Sequence, residues 1–156
     1  VLLAPTTIHH TSSSVAATRR LGARLGARAR PGDVIAVSGP LGAGKTELAR
    51  GIARGLGVRE PVTSPSFIIV AEHVGRLPLF HVDCYRLTGA DEGLAAGILD
   101  ERAEDGVTVI EWAERLGSAL PPGRLEVFID GAGDETRRVE LRATDARHAQ
   151  LLGGRP

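Results

Sequence analysis

The chain has 156 residues, 19 basic against 19 acidic side chains, a single cysteine and 3% aromatic residues. That length suits one domain, spanning residues 1–156, with a proper core. A formal charge of zero excludes the basic footprint of a free-standing nucleic-acid binder, few aromatics exclude a base-stacking platform, and one cysteine excludes an internal disulfide.

In chain order, Thr6 to His10 reads as a short strand, and Ser12, Ser13 and Ser14 offer N-cap oxygens to a helix carrying Val15, Leu21 and Leu25 on one side. Pro31-Gly32-Asp33 is a turn, and Val34 to Val37 is a short β-branched run of the kind that forms a buried strand. A glycine-rich segment follows, then a helix with Leu48, Ile52 and Leu56 at spacings of four, stopping near Gly57. Residues 61–65 form a loop. Phe67 to Val70 and Leu77 to Val82 read as strands about a hairpin-like turn at Gly75. A helix is expected from about Asp91 to Glu104, with Leu94, Ile98 and Leu99 inward. Strands follow at Val107 to Ile110, Leu125 to Ile129 and Arg138 to Leu141, with a short helix from about Asp145 to Leu152. Strands alternating with helices predict an α/β fold with a largely parallel sheet and some antiparallel pairing. No apolar run approaches the roughly 18 residues of a membrane span, and the start Val1-Leu2-Leu3-Ala4-Pro5 lacks a basic n-region, so a cytoplasmic location is expected.

Two absences sharpen the functional reading. The chain contains no asparagine, and Lys45 is the only lysine among its basic residues. A sequence that uses arginine for every generic positive charge keeps lysine where a compact ammonium is needed. Lys45 closes Gly39-Pro40-Leu41-Gly42-Ala43-Gly44-Lys45-Thr46, a full match to G-x-x-x-x-G-K-[ST] with a strand before it and a helix after it. In such a loop the backbone N–H groups converge on phosphate oxygens and the helix adds its positive dipole end. Lysine reaches the β- and γ-oxygens, and the threonine hydroxyl ligates Mg²⁺. A merely structural glycine turn would leave the position of the only lysine unexplained. Magnesium at such a loop needs a carboxylate at a neighbouring strand end, and two strands provide one, at Asp83 and at Glu111. One acid holds the ion and the other orients the attacking water, in an assignment the sequence leaves open.

These residues carry a family resemblance. The P-loop, then Thr63-Ser64-Pro65-Ser66-Phe67, then His81-Val82-Asp83-Cys84-Tyr85-Arg86, then Ile110-Glu111-Trp112, in that order, resemble the bacterial TsaE (YjeE) ATPases of tRNA threonylcarbamoyladenosine biosynthesis. The resemblance runs from about Ser13 to Leu141. It implies a three-layer P-loop sandwich and ATP and Mg²⁺ as cofactors. It also implies action with the TsaD–TsaB complex, through which tRNA is reached. Gly39, Leu41, Gly42, Ala43, Gly44, Lys45, Thr46 and Glu47 are expected at the nucleotide. Thr46 with Glu111 is expected at the metal, Asp83 as the second catalytic acid, and the Thr63–Phe67 loop as a nucleotide-responsive switch. Arg138 falls near a C-terminal arginine of the family that faces the nucleotide. Departures from the family pattern are small: Pro40 removes one potential phosphate donor, Glu47 brings a negative charge near the phosphates, and Ser66 replaces a threonine.

The remaining candidates divide. His81, two residues before Asp83 on a strand, shares its sheet face and is expected to support rather than act as a base. Arg86, three residues after Asp83, is expected to pair with the protein's own acids, the alternative being an internal finger that reaches the γ-phosphate. Cys84 is expected to be a small buried residue, and His9-His10 has no metal-ligand spacing. Trp112 stands beside the site, on a partner or simply half-buried. A GTPase is excluded by the absence of any Asn-Lys-x-Asp segment. A small-molecule P-loop kinase and a non-catalytic nucleotide-gated module remain as rivals to an ATPase that turns over slowly alone.

Overall fold

The structure is a computed structural model describing residues 5–63, 70–87, 103–134 and 136–153. Seven strands form one sheet: β1 (Thr6–Ser12), β2 (Val34–Ser38), β3 (Val70–Val74), β4 (Pro78–Asp83), β5 (Val107–Glu111), β6 (Leu125–Asp130) and β7 (Arg137–Ala143). Their spatial order is β1-β7-β6-β2-β5-β4-β3. The four central strands β6-β2-β5-β4 are parallel, and antiparallel pairing is confined to β1–β7, β7–β6 and β4–β3. This is the expected α/β arrangement. The hydrophobic runs of β2 and β5 are explained by burial on both faces.

Helices α1 (Val15–Arg28) and α2 (Lys45–Gly55) lie side by side on one face of the sheet. Ser14 caps α1, its hydroxyl accepting from the Ala17 N–H at 3.0 Å. Alternate strand residues Ile35, Val37, Val107, Val109, Leu125, Val127, Ile129, Val139 and Leu141 meet Leu21, Leu25, Leu48, Ile52 and Leu56 of this layer and its flanks. The intervening residues Val34, Ala36, Val82 and Ile110 point to the other face, where they meet Leu87, Ala113 and Leu116.

The helix pair is held unusually close by glycine. A Cβ at Gly22 would sit 2.4 Å from the Leu48 carbonyl oxygen. At Gly26 it would lie 2.2 Å from that of Ile52, at Gly51 2.2 Å from that of Arg19, and at Gly55 2.2 Å from that of Ala23. Two G-x-x-x-G patterns thus face each other, backbone to backbone. The seam fixes where the first turn of α2, which carries Lys45 and Thr46, stands against the strand ends.

The chain closes with helix α3 (Ala146–Ala149) and a 3₁₀ turn over Gln150–Leu152. Buried His148 accepts the Val34 N–H at Nε2 (3.0 Å) and lies 2.7 Å from Asp145 through Nδ1, so the C-terminal helix grips the start of β2.

Several details differ from the sequence reading. Of the strand expected over Phe67 to Val70, residues 67–69 lie outside the described set, and from Val70 the described strand runs on to Val74, because those residues find a partner in β4. Residues 64–69 lie outside the described set, as does the expected helix from Asp91 except for its last residues, which form a 3₁₀ turn (Ala103–Asp105). A 3₁₀ segment over Ala113–Ala119 was not anticipated. Among the described residues no helix is long and apolar enough to cross a membrane.

Candidate nucleotide and metal site

β2 delivers the chain to the site and α2 carries it away. Between them Gly39, Gly42 and Gly44 have φ of +143°, +78° and +111°. Gly39 is needed twice, since a Cβ there would lie 2.1 Å from the Ile129 carbonyl oxygen. By contrast a Cβ at Gly42 meets nothing within 4 Å, so the loop's concave side is open. Gly44 is the N-cap of α2 and has no side chain to satisfy the amides of the first turn. The helix therefore presents unsatisfied N–H groups, where α1 presents capped ones.

Lys45 is 4% exposed. Its Nζ donates to the carbonyl oxygens of Gly39 and Pro40, both at 2.7 Å, and lies 3.9 Å from the centroid of the Trp112 ring. Burial pulls its pKa below the ordinary lysine value, and the Glu114, Glu111 and Asp83 carboxylates oppose that shift by favouring the ammonium.

The two acids arrive together because β4 and β5 are parallel and in register, with Asp83 opposite Glu111. Thr46 Oγ1 donates to Glu111 Oε1 at 2.7 Å, and His81 Nε2 lies 2.5 Å from Glu111 Oε2. A carboxylate only accepts, so the imidazole donates from Nε2. His81 is fully buried and orients Glu111, the supporting role the sequence suggested. Asp83 Oδ1 accepts the Tyr85 N–H at 2.9 Å, which fixes the carboxylate at the strand end.

Trp112 follows Glu111 and is the only described non-glycine residue with positive φ, at 56°. That conformation costs a bulky residue about 1–3 kcal/mol. It turns the indole back over Lys45, with the Tyr85 ring 4.9 Å away and the Arg115 guanidinium 5.4 Å above it. Trp112 thus belongs to the site.

Together these groups line a cleft of about 420 Å³ that also includes Leu41, Gly42, Gly44, Glu47 and Arg86. A threonine hydroxyl and two carboxylates are hard oxygen donors, and among the described residues no group of three His, Cys, Asp or Glu side chains could hold a metal ion by itself. Such a set suits Mg²⁺, which is held by one or two carboxylates plus substrate phosphates rather than by an all-protein cage. The charge of Glu47 is neutralised locally: Arg19 donates to it at 2.5 Å and Arg50 closes the other side. Burial pushes its carboxyl up, but the arginine hydrogen bonds and charges outweigh that and leave its pKa lowered.

Sequence reasoning missed one part of the site. On the other side of Gly44 lies a recess of about 200 Å³ lined by Ser13, Ser14, Thr18, Asp134 and Arg137. Arg137 Nε donates to the Ala43 carbonyl at 2.9 Å and its Nη2 to that of Gly133, also at 2.9 Å. Arg138, the expected residue, is not brought to the loop. Strand alternation sends it to the opposite sheet face, beside His9, Phe128 and Asp130. Of the switch loop only Thr63 is described; its neighbour Val62 is tied to α2 by Arg50 Nε at 2.8 Å. Cys84 is fully buried, and burial with the Asp83 and Glu114 charges pushes its thiol up to about 12.

Residues 12–139 match the family model described as "Threonylcarbamoyl adenosine biosynthesis protein TsaE". The tRNA threonylcarbamoyladenosine biosynthesis protein TsaE of Streptomyces coelicolor is 43% identical over 138 residues, covering 86% of this chain and 89% of that protein. Its Bacillus subtilis counterpart is 40% identical over 136 residues, covering 86% and 84%. The crystal structure of B. subtilis YdiB is similar with a TM-score of 0.80 at 34% identity, covering 95% of this chain and 93% of that one.

Proposed function

The chain belongs to the TsaE family of threonylcarbamoyladenosine biosynthesis proteins, and from that premise we propose that it is a magnesium-dependent ATPase serving tRNA modification. The observation that carries this reading is the single constellation of Lys45, Thr46, Asp83 and Glu111 around an open, uncapped loop. The β- and γ-phosphates lie along residues 39–46, held by backbone N–H groups and by Lys45, which exchanges its two carbonyl acceptors for phosphate oxygens. The nucleoside occupies the recess beside Ser13, Thr18 and Arg137. Thr46 with one of Glu111 and Asp83 would hold Mg²⁺, which would supply positive charge at the β- and γ-oxygens. Whichever of Asp83 and Glu111 is not the direct ligand orients the attacking water, and His81 keeps Glu111 in place.

Hydrolysis serves a conformational cycle. The γ-phosphate sets the state of the Thr63–Phe67 loop that the TsaD–TsaB complex reads, and Arg50 of α2 holds Val62 just before that loop. Turnover is slow alone and faster in that complex, where an added cationic contact contributes about 10³–10⁵ in rate. Titration calorimetry and phosphate release test the scheme. Lys45→Ala loses ATP binding with the fold intact, while Glu111→Gln keeps affinity within severalfold and loses Mg²⁺-dependent turnover. Absence of heat from any adenine nucleotide on folded protein would sink the reading. Phosphoryl transfer to a metabolite would replace the ATPase with a kinase.

A further inference from the structure

The phosphate cleft and the nucleoside recess meet at two residues that line both, Gly44 and Glu47. With the nucleotide placed as proposed above, on which this inference rests, the group that joins the tail to the nucleoside is the α-phosphate. It therefore passes over Gly44 and Glu47. Gly44 offers no side chain there, and Glu47 offers one of the wrong sign. A carboxylate accepts hydrogen bonds and cannot donate to a phosphate oxygen, and its charge repels one at close range. In the first turn of α2 a glutamate suits the helix dipole but not a polyphosphate.

Two arginines compensate the acid. Arg19 Nε donates to Glu47 Oε2 at 2.5 Å, and Arg50 Nη1 donates to Oε1. One carboxylate between two guanidinium groups leaves a positive charge in excess. The arginines differ in what they have left to give. Arg50 also spends Nε on the Val62 carbonyl, whereas Arg19 uses Nε alone. Its Nη1 and Nη2 make no hydrogen bond among the described residues. Arg19 follows Val15 by four positions and Thr18 by one, and both of these line the recess, so it stands on that side of α1. Helical side chains lean toward the N-terminus of their helix, and at that end of α1 Ser13 and Ser14 border the recess. The Arg19 side chain is 44% exposed, so its outer edge is open to an arriving anion.

We propose that Arg19 binds the α-phosphate of the nucleotide and that Glu47 is the residue that positions it. Glu47 holds Nε and so fixes the plane of the guanidinium, which leaves the two Nη groups to donate to α-oxygens as a charge-assisted pair. The acid that would repel the phosphate thus anchors the cation that receives it.

Titration calorimetry on the full chain tests the assignment, with Mg²⁺ present, using ATP and the two diastereomers of adenosine α-thiotriphosphate. In each diastereomer sulfur replaces one α-oxygen and accepts a hydrogen bond poorly. Wild type should bind one diastereomer several-fold more weakly than the other. Arg19→Gln should lose about tenfold in ATP affinity and should no longer distinguish the diastereomers. A side chain that merely braced the two helices would lower all three affinities alike and leave the preference in place. Glu47→Thr supplies a hydroxyl that itself donates to the α-oxygen. It should bind ATP within about threefold of wild type, and adding Arg19→Gln to it should cost less than about twofold. Without nucleotide, Arg19→Gln should melt within about 4 °C of wild type, because an exposed ion pair contributes little to stability. Four results would overturn the proposal: ATP affinity unchanged in Arg19→Gln, no diastereomer preference in wild type, a preference that survives in Arg19→Gln, or full additivity of the two substitutions. Absence of ATP binding by wild type would instead remove the nucleotide placement beneath it, so the two failures are told apart.

Discussion

Gly51→Ala puts two opposing effects on the α1–α2 seam into direct competition. In an exposed helix interior the change would stabilise by up to about 1 kcal/mol, because alanine gives up less backbone entropy. Here the new Cβ would lie 2.2 Å from the Arg19 carbonyl oxygen and 2.9 Å from its carbon, against the 3.0 Å below which Cβ contacts essentially never occur. The obstacle is backbone, so no side chain can swing aside, and the helices must separate. Overpacking of this kind costs about 1–3 kcal/mol. Separation also loosens the contacts of Gly22, Gly26 and Gly55 along the same seam. The clash wins: we expect net destabilisation of about 1–2 kcal/mol. At about 2–4 °C per kcal/mol for a chain of this size, Tm falls by about 2–8 °C. Thermal denaturation followed by circular dichroism, without nucleotide, measures this directly, since bound ligand would mask it. The same displacement moves Thr46 away from Glu111, so ATP affinity should fall severalfold. A Tm equal to or above that of wild type would refute the seam argument.

Arg137→Ala should weaken ATP binding at least tenfold, whereas Arg138→Ala should leave it within twofold; calorimetry in parallel decides between them, and equal effects would contradict the strand's facing. Glu47, Glu126 and Asp145 each have a folded carboxyl held below its ordinary value by hydrogen bonds and charges that outweigh burial. Their stabilisation is fully present above the unfolded values of 4.5, 4.5 and 3.8 and is lost as pH falls through the depressed folded values. Urea midpoints should therefore drop between about pH 5 and pH 3, and a flat profile would count against these pairings. Cys84, fully buried and with its thiol pushed up to about 12, should resist iodoacetamide at pH 8 in the folded protein and react once urea is added. Rapid labelling of native protein would show that the segment after β4 opens.

The sequence by itself determined the parts of this protein whose chemistry is contiguous. A strand, a glycine loop and a helix start occupy residues 34–55 without interruption, so the phosphate cradle, its only lysine and its metal-binding threonine were readable one after another. The strand ends at Asp83 and Glu111 were also legible, because a largely apolar run stops at the first and a β-branched run at the second. Tertiary structure alone decided what depends on register and facing. Parallel pairing of β4 with β5 sets Asp83 opposite Glu111, and a one-residue shift would have parted them. Alternation along β7 chose Arg137 over Arg138 for the loop. The two G-x-x-x-G patterns became meaningful only when they met across the helix seam. Net charge, a sum over the whole chain, gave no sign that Arg19 and Arg50 close on Glu47, because a sum keeps no record of where each charge points.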